Sequence, residues 1–420
     1  MLDFSRPRGT RDFKPEEMRA RRKVESIMRN TLSSYGYEEI ATPTFEYSDL
    51  FIARSGPQIL EQIYDFKDKG DRDLVLRPEL TAPVMRMYNS DLKSRPKPLR
   101  LQYFGNCFRY ERPQKGRYRE FWQLGLEYIG KRTPSANAEV INAAVSSLDA
   151  VGLRNYVVRI GHVSILRSLL YALGVEEDKE LMIAIDKKNI DLLEKRFPEV
   201  EGSRVIKDMI AKPFKVKNTV EIMNKLSNAF PNIDKGPISE LIEVIGLVSS
   251  ENGTIELDIS ITRGLDYYDG IVFEIDAPSL GAEKQICGGG AYSLTSVFGT
   301  EIEGIGFGLG FDRILVSLGD ALEIEKDRMK ICLRSMEEGD MKLTIRASKM
   351  IRSTGVTCLM ETSKRPFKKV INYALSTGCT HLAILGEDEI RRGGVSIKNL
   401  STKEQVFVEM NDLIDRLEEL

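Results

Sequence analysis

The spacing of apolar residues changes character twice along this chain. Up to about Leu166, and again from about Glu251 to Glu323, short β-rich runs are separated by helical stretches, the pattern of a sheet with helices packed on it. Between those regions SILRSLLYALGV, DKKNIDLLEKRF and ISELIEVIGLV carry apolar residues at helical spacing, and Pro198, Pro213, Pro231 and Pro237 read as breaks. The α+β class follows: residues 1–166 and 251–323 are expected to share one antiparallel-sheet domain, interrupted by a helical insertion over 167–250. After about Lys326 strands and helices alternate, from MKICLRS through a helix around 345–351, GVTCLME and a helix over 364–375 to HLAILG. This predicts a separate small α/β domain over 327–420 with a mainly parallel sheet. On periodicity alone, a nucleotide-binding or thioredoxin-like domain fits that region equally well.

One segment departs from the usual apolar strand pattern. Residues 104–127, FGNCFRYERPQKGRYREFWQLGLE, read as a strand, a basic loop marked by Pro113 and Gly116, and a returning strand. Alternation places Arg119, Phe121, Gln123, Gly125 and Glu127 on one face of the returning strand, and Arg109 with Glu111 on one face of the outgoing strand. Guanidinium groups suit phosphate, an aromatic ring can stack a base, and an amide and a carboxylate supply hydrogen bonds. On charge alone, a solvated, salt-bridged hairpin is the commoner outcome. The remaining motifs tilt the reading toward a nucleotide site.

Composition narrows the classes. A chain of 420 residues, 42% of them hydrophobic, suits two or three globular domains with a sizeable core. The net charge of -2 lacks the strongly basic balance of a dedicated nucleic-acid module, so contact with RNA must use local patches. Five widely spaced cysteines without a Cys-x-x-Cys pair read as reduced thiols in a cytoplasmic protein, with neither a zinc site nor a disulfide framework. MLDFSRPRGTRDF has no apolar leader core, and the sequence shows no uninterrupted apolar stretch of spanning length, so no membrane role is expected. His162 and His381, the two histidines, fall outside every motif and are expected to be structural.

Phe108-Arg109-Tyr110-Glu111 resembles motif 2 of the class II aminoacyl-tRNA synthetases, and RYERPQKGRYREF is similar to the version found in the histidyl-tRNA synthetase family. Gly36-Tyr37, Ile40 and Pro43 resemble motif 1, a segment at the dimer interface in that class, and Gly306-x-Gly308-x-Gly310-x-x-Arg313 resembles motif 3. Arg263-Gly264-Leu265-Asp266-Tyr267-Tyr268 and Cys287-Gly288-Gly289-Gly290-Ala291-Tyr292 resemble two histidine-specific motifs. Ala291 and Ser293 stand where the family commonly has arginine and aspartate, so no role is assigned to those two side chains, and Leu80 stands where many members have glycine. Arg8-Gly9-Thr10-Arg11-Asp12-Phe13 and Arg77-Pro78-Glu79-Leu80-Thr81 are family-like as well, and 386–390 with 395–398 resemble the end of an anticodon-binding domain.

The resemblance implies a homodimeric enzyme that joins L-histidine to ATP and passes it to tRNA(His). Arg109 would hold the α-phosphate, Arg313 and Arg117 the outer phosphates, and Phe121 would stack on adenine, with Glu111 beside the nucleotide. Arg263 would approach the α-phosphate from the opposite side, where related synthetases use magnesium. One or two Mg²⁺ are expected on the outer phosphates, with no protein-held metal. Glu79, Thr81 and Gln123 would take the ammonium of histidine, Glu127 and Tyr268 would read its imidazole, and Tyr267 would line the pocket. Lys207, Lys212, Lys215 and Lys217 in the insertion fit either tRNA phosphate contact or an ordinary solvated surface. A different class of relative, catalytically silent sensors such as the regulatory subunit of ATP phosphoribosyltransferase, would lack catalytic arginines, and that subunit also lacks the C-terminal domain. This chain has Arg109, Arg263, Arg313 and that domain.

Overall fold

The computed structural model describes residues 4–55, 57–111, 116–262, 268–281, 284–293, 303–319, 329–336, 341–363 and 365–419. They fall into two compact units, 1–322 and 323–420.

The first unit is built on a nine-stranded sheet. In spatial order its strands are Glu38–Glu39, Leu99–Phe108, Glu120–Ile129, Glu303–Gly310, Gln285–Ser293, Tyr268–Asp276, Val157–His162, Thr254–Leu257 and Phe214–Lys215. The Glu38–Glu39 and Leu99–Phe108 strands pair in parallel, as do Val157–His162 and Thr254–Leu257. The other neighbours run antiparallel. Strands from both sides of the helical region therefore enter one sheet.

Register explains why the two faces of this sheet differ. Leu101 sits opposite Glu127, Tyr103 opposite Gly125, Gly105 opposite Gln123 and Cys107 opposite Phe121. Gly306 then lies beside Glu127 and Gly308 beside Gly125, and across the next pairing Gly290 meets Gly306 while Gly288 meets Gly308. Because side chains alternate, three adjacent strands place glycines around Gln123 and Glu127 and open a trough on that face. Leu124, Leu126, Ile305, Phe307 and Leu309 belong to the largest core cluster. Burying each such side chain is worth about 1.5–3 kcal/mol.

Helices Pro15–Ser34, Pro134–Ala150 and Phe311–Leu318 contribute buried residues to that cluster. Pro15 and Pro134 sit in the first turn, where a missing N–H costs nothing. Glu17 accepts from the Lys14 N–H at 2.7 Å, and Thr133 Oγ1 accepts from the Ala136 N–H at 3.1 Å.

Between Val163 and Leu247 the chain is largely helical. Val163–Ala172, Ile190–Arg196 and Gly236–Leu247 match the three periodic segments read from sequence, and Lys179–Asp186, Glu201–Ala211 and Thr219–Ala229 add to them. Pro237 is not a break: it lies in the first turn of Gly236–Leu247, the helical position that tolerates proline. Leu169, Leu181, Leu193, Ile210, Leu226 and Leu241 join the same core as the sheet. Arg159 gathers carboxylates at the sheet, reaching Asp258 at 3.0 Å, Glu274 at 2.5 Å and Asp276 at 2.9 Å, and Lys188 of the helical region reaches the same Asp258 at 3.0 Å.

The second unit carries a five-stranded sheet in the order Thr357–Met360, Lys330–Ser335, His381–Leu385, Gly394–Asn399 and Gln405–Glu409. Its first two pairings are parallel and its last two antiparallel, so the sheet is mixed rather than mainly parallel. Helices Met341–Ser353 and Phe367–Ser376 make the crossovers that parallel pairing requires. Between His381–Leu385 and Gly394–Asn399 there is only the short helix Glu387–Arg391, less than the roughly dozen residues a parallel crossover needs.

Candidate active site

Two contiguous cavities occupy the trough. The first, of about 310 Å³, is lined by Glu79, Thr81, Tyr103, Arg109, Gln123, Glu127, Tyr268 and Tyr292, among others. That volume suits a ligand the size of an amino acid. The second, of about 210 Å³, is lined by Arg109, Glu111, Arg117, Phe121, Gln123 and Arg313, among others. Arg109, Gln123, Gly288 and Gly308 line both. A cation and an amide thus stand where the two spaces meet.

The first cavity ends on Glu127, whose residue is 1% exposed. Tyr103 Oη donates to one carboxylate oxygen at 3.1 Å and Tyr292 Oη to the other at 2.9 Å. Burial, and then the neighbouring Glu127 charge, push both phenols well above their ordinary range, so both remain donors. An ionised carboxylate offers about four acceptor sites, more than these two phenols fill. Glycine at 306 is what admits it: a Cβ there would come 1.9 Å from Glu127 Oε2 and 2.6 Å from the backbone oxygen of Leu126.

Near the other end of this cavity, Glu79 accepts from the backbone N–H groups of Thr81 at 2.6 Å and Ala82 at 3.0 Å, the first turn of helix Thr81–Met87. Gln123 Oε1 accepts from Cys107 Sγ at 3.3 Å, which leaves the amide nitrogen as its other hydrogen-bonding end. Burial pushes the Cys107 thiol up to about 12, with Arg109 and Arg77 opposing the shift, so it holds its proton.

On the second cavity, Arg109 Nε donates to the Pro78 carbonyl at 2.9 Å, and its guanidinium carbon lies 5.2 Å from the centre of the Phe121 ring. Arg117 pairs with Glu111, and Arg313 donates to the Gln285 carbonyl. Arg119 does not line either cavity among the described residues. The strand begins at Glu120, so alternation does not extend to Arg119, and its guanidinium instead lies 4.2 Å from the centre of the Tyr110 ring.

Arg263 and Tyr267 lie outside the described residues, as do loop residues 112–115. Tyr268 is buried and lines the first cavity. Leu80, at 3% exposure, packs in a core cluster with Val84 and Tyr103. Ala291 is in the largest core cluster, whereas Tyr292, one residue on, reaches Glu127. His162 caps helix Val163–Ala172, its Nδ1 accepting from the Ser164 N–H at 3.2 Å. Neither His162 nor His381 lines the two cavities.

Several lining residues were not singled out from sequence. Tyr103 lies on strand Leu99–Phe108 opposite Gly125, between the positions paired with Gln123 and Glu127. Phe51, Ile59, Gln62 and Ile63 come from a segment whose pattern is merely that of a small packed unit.

The family model described as "Histidyl-tRNA synthetase" matches residues 9–314, and that described as "Anticodon binding domain" matches 331–420. The histidine–tRNA ligase of Archaeoglobus fulgidus is 43% identical over 418 residues, covering 99% of this chain and 100% of the relative. That of Methanocaldococcus jannaschii is 42% identical over 416 residues, covering 98% of each. Among solved structures, histidyl-tRNA synthetase from Nostoc sp. PCC 7120 superposes with a TM-score of 0.81 at 25% identity over 100% of both chains.

Proposed function

The chain belongs to the histidyl-tRNA synthetase family, and from that premise we propose how its two cavities divide the work. The enzyme is an aminoacyl-tRNA ligase that activates L-histidine with ATP and transfers it to tRNA(His). Histidine occupies the cavity that ends at Glu127, ATP occupies the cationic cavity, and the two react where the cavities meet. The observation that carries this reading is the shared floor, since Arg109 lines both spaces.

Adenylate formation requires a carboxylate to attack the α-phosphate while pyrophosphate leaves. Two anions must approach, and charge must be stabilised as it spreads. Arg109, fixed by Pro78, would hold the α-phosphate at the junction. Arg117 and Arg313 would hold the outer phosphates, and Phe121 would stack on adenine. Arg263 would complete the α-phosphate contacts, by its motif alone. Glu127 would accept an imidazole N–H and Tyr268 would face the ring, with Tyr267 lining the pocket by its motif. Glu79 and Thr81 would take the ammonium. Gln123 would join them through Oε1, since a carbonyl oxygen has a second lone pair beyond the one that accepts from Cys107.

Among the described residues there is no cluster of His, Cys, Asp and Glu that would hold a metal. Magnesium would arrive on the ATP phosphates, with Glu111 among the carboxylates that line the cationic cavity. When bound it would neutralise charge on the outer phosphates. A cytoplasmic location fits the five free thiols, all buried. The segment around Gly36 and Pro43 supports a homodimer, which sedimentation at dilute concentration would check. The exposed Lys212, Lys215 and Lys217 are candidate tRNA phosphate contacts. The sensor reading has less support, because Arg109 and Arg313 line the cationic cavity and the anticodon-binding match covers 331–420.

A stable sulfamoyl analogue of histidyl-adenylate tests the shared floor. It should bind at least 10²-fold tighter than histidine or ATP alone, as mimics of reactive intermediates do. Affinity no better than that of ATP would contradict the placement.

A further inference from the structure

The segment RGTRDF, residues 8–13, has no part in the chemistry above, yet it is built against the nucleotide cavity. Arg11 donates to Asp312 at 2.6 Å, and its guanidinium carbon lies 3.3 Å from the centre of the Tyr118 ring. Asp312 precedes Arg313 on helix Phe311–Leu318, and Tyr118 follows Arg117 on the returning limb of the basic loop. Both Asp312 and Tyr118 line the nucleotide cavity.

The anchor at Asp312 is firm. Its side chain is 2% exposed and accepts from Arg11, from Arg21 at 2.6 Å and from the Trp122 N–H at 2.8 Å. A buried carboxylate held by three donors in this way has little freedom to shift. The segment also grips the loop through its backbone, because the Arg119 N–H donates to the Gly9 carbonyl at 2.9 Å. Gly9 has a φ of +86°, and a Cβ there would come 2.7 Å from Arg119 Cγ, so glycine is required for so close an approach.

We infer that Arg11 is a positioning residue for ATP: it ties the loop carrying Arg117 to the helix carrying Arg313, so that the two proposed outer-phosphate cations are held in register. This rests on the nucleotide assignment made above. A planar guanidinium does both jobs at once, donating in its plane to a carboxylate while lying flat on an aromatic ring. A lysine can retain the charge but not that combination.

The test is ATP–pyrophosphate exchange by Arg11→Lys and Arg11→Ala, varying ATP at saturating histidine and then the reverse. ATP binding is measured separately by calorimetry, which needs no turnover. Arg11→Ala should raise KM for ATP about tenfold or more, as misplaced binding groups do, with KM for histidine within about twofold. Arg11→Lys, the milder change, should fall between. In a double-mutant cycle, Arg11→Ala and Tyr118→Leu should be less than additive, since each removes the same contact. An unchanged KM for ATP alongside a lower melting temperature and kcat would mean a staple only and would overturn the inference. So would an equal rise in both KM values. If the wild type bound ATP but supported no exchange, the functional reading would fail, while weaker ATP binding by Arg11→Ala would still support the positioning role.

Discussion

At Glu127 two tyrosine hydroxyls decide what the carboxylate can still do. One donor sits on each oxygen, and both phenols are held protonated by burial. On the proposed reading this carboxylate, which lines the first cavity, would match an imidazole N–H and mismatch an apolar side chain. Glu127→Gln keeps the shape but replaces one acceptor with a donor. It is expected to raise KM for histidine by roughly 10- to 100-fold, the worth of a hydrogen bond to a charged group, with KM for ATP little changed. Steady-state kinetics with each substrate varied in turn would show it, and an equal loss for both would point to a folding defect. Glu127 and Gln123 were legible in the sequence because a carboxylate and an amide on one face of an apolar strand are conspicuous. Tyr103 and Phe51 were not, since a buried aromatic looks the same in a core as in a pocket wall.

Among elements, the hairpin and the glycine strand beside it make the trough. Period-two alternation over 119–127 revealed the hairpin, and its face assignment held from Phe121 to Glu127 but failed at Arg119, outside the strand. Gly-x-Gly-x-Gly gave no steric information by itself; the register next to Glu127 and Gln123 supplies it. Gly306→Ala is expected to distort the Glu127 site and destabilise the sheet, because its Cβ would lie 1.9 Å from a carboxylate oxygen and 2.6 Å from backbone. At Gly308 the nearest atom to an added Cβ is 3.7 Å away, so Gly308→Ala should fold normally and lose substrate affinity instead, its methyl occupying the shared floor. Melting temperatures and binding constants for the pair would separate the two effects. The mixed sheet of the second unit was misread because repeating strand and helix patterns do not reveal that the last connection is too short to cross over.

Arg159 gathers three carboxylates at the sheet, one of which, Asp258, also meets Lys188 of the helical region. Burial alone would lower the pKa of Arg159, but Glu274, Asp276 and Asp258 raise it instead. Burial alone would raise the pKa of Asp258, yet Lys188, Ser260 and Arg159 bring it below the ordinary value. A carboxyl whose folded pKa is depressed contributes stability that is fully present above its unfolded value, roughly 4, and is lost as pH falls through the folded one. Thermal unfolding of the wild type should therefore drop in acid. Arg159→Met is expected to cost about 3–5 kcal/mol near neutral pH, because three carboxylates lose their common partner. Its deficit should shrink as those carboxyls protonate, and a deficit independent of pH would contradict the electrostatic account.

For the whole molecule, both cavities lie inside the first unit, while the second has cores of its own. The histidyl-tRNA synthetase match and the anticodon-binding match are thus segregated along the chain. The α+β class and the change of pattern near residue 326 were legible from periodicity. The function was legible from three class II motifs and two histidine-specific ones rather than from composition, whose net charge of -2 says nothing of RNA. No helix among the described residues is long and apolar enough to cross a membrane. On the proposed reading, a pocket built around Glu127 selects histidine and delivers its carboxylate to ATP at Arg109. ATP–pyrophosphate exchange with each of the twenty amino acids in turn, without tRNA, tests it most directly. Exchange with histidine alone is the expected result; no exchange with any amino acid, despite measurable histidine binding, would contradict it.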